Sequence, residues 1–144
     1  MANYIMLQGT SSHVGKSILT TALCRIFYQE GRRAVPFKAQ NMALNSFVTR
    51  DGCEIGRAQA VQAEAARIEP TSDMNPVLMK PSSDRKAQII VKGKPIDTMS
   101  VYEYVKYKKN ALRIVEDSFQ KLSENYEMVV IEGAGSPAEI NLRA

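Results

Sequence analysis

Leu7-Gln-Gly-Thr-Ser-Ser-His-Val-Gly-Lys-Ser17 follows a short apolar run, Tyr4-Ile-Met-Leu7. It precedes Ile18, Leu19, Ala22, Leu23, Ile26 and Phe27, which recur at helical spacing up to Gly31. The pattern predicts a buried strand, a glycine-bearing loop and a helix, the context in which a phosphate-binding loop works. Amides in the first turn of a helix have no intrahelical partners, and the aligned peptide dipoles place positive potential there. Gly15 lets the main chain wrap a phosphate, Lys16 carries charge toward the β- and γ-phosphates, and the Ser17 hydroxyl can ligate Mg²⁺. Nucleotide contacts are expected along Gly9, Thr10, Ser11, Ser12, His13, Val14, Gly15, Lys16 and Ser17. One detail departs from the usual G-x-x-x-x-G-K-[ST] spacing: position 10 is Thr10, and the first glycine is Gly9.

The composition of the whole 144-residue chain suits one globular domain, with 44% hydrophobic and 24% charged residues. No apolar run approaches the roughly 18 residues of a membrane span, and the start lacks the apolar core of a secretory signal. Cys24 and Cys53 form neither a zinc spacing nor a disulfide framework, so a reducing cytoplasm is the expected location. The net charge of +4 is spread among acidic residues, apart from a short basic cluster at positions 106–109. Neither a nucleic-acid nor a membrane partner is expected. His13, the single histidine, reads as a solvent-facing loop residue.

Beyond the first helix, Ala34-Val-Pro-Phe37 reads as a strand ending at Lys38, followed by a polar loop over 40–52. An alanine-rich helix is expected over 57–68, stopping before Pro70. Residues 71–85, rich in Pro, Ser and Asp, read as a long functional loop. Gln88-Ile-Ile-Val91 is a short strand closed by Gly93 and Pro95. Ser100 and Glu103 have the spacing of a capping box opening a long helix, with Val105, Leu112, Val115, Phe119 and Leu122 on its inner side. Glu127-Met-Val-Val-Ile131 is a buried strand that leads into Glu132-Gly-Ala-Gly135. Strands alternating with helices predict an α/β fold, with a mostly parallel sheet flanked by helices. Ligands in such sheets bind beyond the carboxyl ends of the strands, where the phosphate loop, Lys38 and Glu132 all fall.

Mg²⁺ takes hard oxygen ligands and keeps several waters, so Ser17, Asp51 and Glu132 form a candidate metal set. Asp51 is also the first residue of a common Asp-Gly turn. Lys38 could neutralise a transferred phosphoryl group or hold an anionic substrate, and it could equally lie along the surface. Gln40, Asn41 and Asn45 are candidates for binding substrate polar groups, or they cap turns. Ser82, with Ser83, Asp84 and Arg85, has the same two readings.

The loop from Gly9 to Ser17 resembles that of dethiobiotin synthetase and the corrinoid amidases, which also keep the glycine one place early. Pro36-Phe-Lys-Ala-Gln-Asn-Met-Ala-Leu-Asn-Ser-Phe47, Asp51-Gly-Cys-Glu-Ile-Gly-Arg-Ala-Gln59, Met74-Asn-Pro-Val-Leu-Met-Lys-Pro81 and Glu132-Gly-Ala-Gly-Ser-Pro-Ala-Glu-Ile-Asn-Leu142 are similar to segments of the cobyric acid synthases. The resemblance spans nearly the whole chain. It implies a P-loop NTPase-like synthetase domain of which residues 1–144 are the amino-terminal part. The sheet would then be incomplete, with its open edge either exposed or covered in a homo-oligomer. It further implies ATP-dependent amidation of peripheral carboxylates of adenosylcobyrinic acid a,c-diamide through an acyl phosphate. Ammonia would come from glutamine, hydrolysed by a glutaminase domain absent from these residues. By the same resemblance Lys16 and Lys38 would be catalytic, neutralising the transferred phosphoryl group, while Ser17, Asp51 and Glu132 would hold Mg²⁺. An alternative is a partitioning-type P-loop ATPase acting by nucleotide-dependent dimerisation. Those proteins carry a signature lysine five residues before the loop lysine, where this chain has Ser11.

Overall fold

The computed structural model describes residues 2–11, 13–83 and 86–135. Its centre is a parallel sheet of three strands in the order β1 (Asn3–Leu7), β9 (Met128–Glu132), β2 (Ala34–Phe37). Val129 and Val130 of the middle strand are fully buried, as is Val35 beside them. Continuous apolar runs of this kind are what a strand covered on both faces requires. One face meets α3 (Val101–Asn125), where Phe37 stacks edge-on against Phe119 at 5.4 Å and Leu122 closes the cluster. The other face meets α1 (Lys16–Gln29) and α2 (Arg57–Ala65) through Cys24, Leu23, Phe27, Ala65 and Ala66. Burial pushes the Cys24 thiol up to about 12, leaving it a packing group.

A second sheet runs β3 (Gln40–Met42), β6 (Val77–Ser83), β7 (Lys86–Val91), β8 (Lys94–Ser100). β3 pairs with β6 in parallel, and β6, β7 and β8 form an antiparallel meander. Val77, Met79, Ile89 and Val91 pack beneath Ala111, Tyr104 and Ile114 of α3, so this helix bridges both sheets. Its start carries the expected capping box, with Glu103 and Ser100 exchanging backbone and side-chain hydrogen bonds. β4 (Ser46–Val48) and β5 (Glu54–Gly56) form a small antiparallel pair.

The class is the expected α/β, P-loop-like arrangement with its parallel core. Several local expectations are corrected. Residues 71–85 are not one long loop, since β6 occupies most of their second half. Pro76, Pro81 and Ser82 read as punctuation, yet β3 pairs only with residues 77–79 of β6. Pro81 therefore sits beyond that pairing, next to a register shift, where a missing N–H is tolerated. Gly93 does close β7, as expected, whereas Pro95 ends nothing and lies inside β8. Lys92 (φ 49°) and Gly93 (φ 76°) make a two-residue turn between Val91 and Lys94, with the two positive φ angles that suit a twisted hairpin. The 40–52 loop likewise holds β3 and β4.

A further correction concerns burial. β1 was expected to be buried, but it pairs only with β9 and forms the edge of the sheet, with Tyr4, Ile5 and Met6 exposed. In α1 the apolar positions Ile18, Leu19 and Ile26 are exposed, while Thr20 and Cys24 are buried. Val105 and Leu112, expected on the inner side of α3, are exposed as well.

Candidate functional site

Register sets the site. Leu7 at the end of β1 pairs with Glu132 at the end of β9, and Phe37 at the end of β2 pairs with Ile131. The phosphate loop, Glu132 and Lys38 therefore leave one carboxyl edge side by side. They line a cleft of about 590 Å³ together with His13, Gln40, Asn41 and Met42.

Gly15 caps α1 in the left-handed region (φ 92°), a conformation that a Cβ disfavours, and no side chain caps the helix. The first turn carries no acidic residue of its own, and a helix N-terminus favours anions. The early glycine has a steric cause: a Cβ on Gly9 would lie 2.5 Å from the Val14 side chain and 3.0 Å from Lys16 Nζ. The loop folds back over itself at this point. Lys16 Nζ donates to the Ser11 carbonyl at 2.8 Å, holding its ammonium over the loop.

Glu132 is buried at the base of the cleft, with 3% of its surface exposed. Its Oε1 accepts the Ser17 hydroxyl at 2.8 Å and Lys38 Nζ at 2.6 Å. Its Oε2 accepts Gln62 Nε2 at 2.7 Å. Lys38 therefore points into the cleft, with its ammonium half-buried on this carboxylate and not laid along the surface. Ser17 Oγ and Glu132 Oε1 are adjacent hard-oxygen donors, the chemistry Mg²⁺ prefers when phosphates and waters complete its shell. Among the described residues no group of three or more His, Cys, Asp or Glu side chains converges.

Not every expected residue joins the cleft. Gln40 and Asn41 line it, and the Tyr104 hydroxyl donates to Gln40 Oε1 at 2.7 Å. Asn45 is exposed and uses its carbonyl to accept the Arg57 amide, away from the lining. Ser82 lies at the β6–β7 hairpin, with its hydroxyl donating to the Lys86 carbonyl. The set of Ser17, Asp51 and Glu132 divides. Asp51 lines a separate depression with Arg50, Glu69, Pro70 and Thr71. Its carboxyl accepts the hydroxyl of Thr49, which holds it below the usual carboxylate range. It behaves as the turn residue that its Asp-Gly context also allowed. Ser12, Asp84, Arg85 and residues 136–142 of the final motif lie outside the described residues.

Two participants went unnoticed in the sequence. Gln62 sits on the α2 face turned to the core, inside an alanine-rich run that signals only close packing. Tyr104 is one of several tyrosines on α3, and nothing in its spacing marks it as the partner of Gln40.

The CbiA profile, the CobQ/CobB/MinD/ParA nucleotide binding domain, matches residues 5–141. The chain belongs to this family. Cobyric acid synthases from Pelotomaculum thermopropionicum and Dehalococcoides mccartyi are 61% and 62% identical to it over 99% of its length. The enzyme of the same name from Caldanaerobacter subterraneus subsp. tengcongensis is 57% identical over 99% of the chain. The chain spans only 27–28% of the length of these curated relatives. Membership makes it a nucleotide-binding domain. Among the described residues no helix is long and apolar enough to cross a membrane.

Proposed function

We propose that the cleft binds Mg-ATP and that this chain supplies the ATP-handling part of a corrinoid amidoligase. The reaction is the amidation of peripheral carboxylates of adenosylcobyrinic acid a,c-diamide with glutamine-derived ammonia. One observation carries the reading: Lys16, Ser17, Lys38 and Glu132 meet at the carboxyl edge of a single parallel sheet. The similarity to cobyric acid synthases supports the choice of substrate. On this reading the chain is the amino-terminal synthetase part, and glutamine hydrolysis belongs to a separate domain of a cytoplasmic enzyme.

A carboxylate is a poor acyl donor because its leaving group would be an oxide. A substrate carboxylate oxygen attacks the γ-phosphorus of ATP, the bond to the β–γ bridging oxygen breaks, and ADP departs, leaving an acyl phosphate. The nitrogen lone pair of ammonia then adds to the carbonyl carbon. Phosphate leaves with the C–O electron pair, and loss of a proton gives the carboxamide. The chain's contribution is positioning and charge neutralisation. First-turn amides of α1 hold phosphate oxygens, and the Lys16 and Lys38 ammonium groups offset charge on the transferring group. Gln40 and Asn41 face the substrate side of the cleft. Ser17 and Glu132 would hold Mg²⁺, which supplies further positive charge at the phosphates.

Calorimetric titration of the chain with ATP and Mg²⁺ tests the site. Charge-assisted hydrogen bonds contribute about 1.5–3 kcal/mol, so Lys16→Ala is expected to weaken ATP binding by about ten- to a hundredfold. Undiminished affinity in that variant would overturn the assignment. The expected stimulant of ATP turnover is the corrinoid; stimulation by DNA or lipid vesicles instead would replace the amidoligase reading with a partitioning ATPase.

A further inference from the structure

Three side-chain amides run in a buried line from the cleft wall to Glu132. Asn41 Nδ2 donates to Gln59 Oε1 at 3.0 Å, Gln59 Nε2 donates to Gln62 Oε1 at 3.5 Å, and Gln62 Nε2 donates to Glu132 Oε2 at 2.7 Å. Gln59 and Gln62 have no exposed surface, and Asn41 is 7% exposed. Glutamine is seldom buried so completely, and burying an amide is tolerated only when its hydrogen bonds are made. Among the described residues every buried side-chain polar atom has a partner.

The direction of the line follows from its end. An ionised carboxylate only accepts, so Gln62 must present its nitrogen to Glu132 and its oxygen to Gln59. Gln59 must then donate to Gln62 and accept from Asn41. Fold geometry makes room for this: Gln59 and Gln62 are three residues apart on one face of α2. At the start of that helix Gly56 has no side chain where a Cβ would collide with the amides of Asn41 and Gln59. An alanine or leucine at position 62 would pack the helix on the sheet without any of these constraints.

We propose that Gln62 is a positioning residue for Glu132. Held through Oε2 by Gln62, the carboxylate keeps Oε1 as the atom facing Ser17, Lys38 and the phosphate loop. Free rotation of the carboxyl group would present either oxygen, at varied angles, to a shared cation. Gln59 and Asn41 in turn hold Gln62, which ties the carboxylate's orientation to the strand that lines the substrate side of the cleft. The role is to orient the donor set, and Gln62 itself touches neither nucleotide nor metal.

The proposal rests on the Mg-ATP reading of the cleft, and the experiment separates the two. ATP affinity of the chain is measured by calorimetry with and without Mg²⁺, and Mn²⁺ binding in the presence of ATP by electron paramagnetic resonance. Gln62→Met keeps the length of the side chain and removes the donor. Metal-free ATP affinity is expected to stay unchanged, while the strengthening by Mg²⁺ and the Mn²⁺ affinity fall about 10- to 100-fold, the usual cost of losing a partner behind a metal ligand. A folded Gln62→Met protein with full metal enhancement overturns the positioning role and leaves the nucleotide site standing. Should Lys16→Ala leave ATP affinity intact, the nucleotide reading falls, and this proposal with it. Gln59→Met, one hydrogen bond farther away, covers failure of the first variant to fold. It should show a smaller loss of metal enhancement, and no loss would overturn the proposal.

Discussion

Lys38 Nζ and the Ser17 hydroxyl share one oxygen of Glu132, at 2.6 Å and 2.8 Å, so the base of the cleft is a compact arrangement of one carboxylate, one ammonium and one hydroxyl. Lys38 directly follows β2, Glu132 ends β9, and these strands are neighbours in the sheet. The ammonium neutralises a carboxylate with 2% of its side chain exposed. Lys38 also lines the cleft, so a phosphate entering it would offer the same ammonium a second anionic partner.

Removing that ammonium should destabilise the fold. Breaking a buried ion pair by deleting one partner costs about 3–5 kcal/mol, because the remaining charge is left without its counter-ion. Lys38→Met is expected near the lower end of that range, since the pair opens onto the cleft. The corresponding fall in melting temperature is on the order of 10 °C for a domain of this size. Lys38→Met combined with Glu132→Gln should recover most of the loss, because neither charge is then stranded. Thermal unfolding of both single variants and the double variant checks this; a loss in the double equal to the sum of the two single losses would show that the pair is not coupled.

Gly15 tests the loop through its backbone alone. With φ at 92° and no atom within contact distance of a built Cβ, alanine meets no neighbour there and only the dihedral is strained. Left-handed backbone costs a residue with a Cβ about 1–2 kcal/mol. Gly15→Ala should lose that much stability in urea unfolding, and it should lose ATP affinity as the loop shifts to relieve the strain. Unchanged values for both would mean that the loop does not require this conformation.

Acid should weaken the packing of α3 against the segment before β6. Asp73 is buried and accepts from Lys121 Nζ at 2.7 Å and from Lys92 Nζ. Burial alone would raise its pKa, but the hydrogen bonds and charges of Lys121 and Lys92 outweigh that and bring it below the ordinary value. A carboxyl depressed in the folded state contributes stability that is fully present above its unfolded pKa, about 3.9. That contribution disappears as pH falls through the depressed folded value. The urea midpoint of Asp73→Asn should therefore lie below that of the parent at pH 7, and the gap should narrow as pH is lowered to 3. Lys121 is largely exposed, so its share is screened by solvent and salt. A gap that widens toward acid would contradict the assignment.

How much was legible follows from the range of the forces involved. The capping box of Ser100 and Glu103 could be read directly, because its hydrogen bonds close within three residues. The phosphate loop was readable for the same reason: Gly9, Gly15, Lys16 and Ser17 act through local backbone geometry and one helix terminus. β6 was obscured because prolines and serines signal turns locally, whereas pairing with β3 and β7 is a non-local gain. Asp51 illustrates the converse. Its carboxylate had the right chemistry for Mg²⁺, but its own turn gives it the Thr49 hydroxyl, in a different depression from Ser17.

Chemistry in short segments was thus determined by the sequence alone: a phosphate loop on a strand–helix junction, an acid after a buried strand, a lysine after another. Which of these meet was decided by the tertiary structure. Leu7 pairs with Glu132 across 125 positions of chain, and Gln62 reaches Glu132 across 70. Contacts of that kind depend on strand register and on which face of α2 is buried, and both are settled only when the whole core packs.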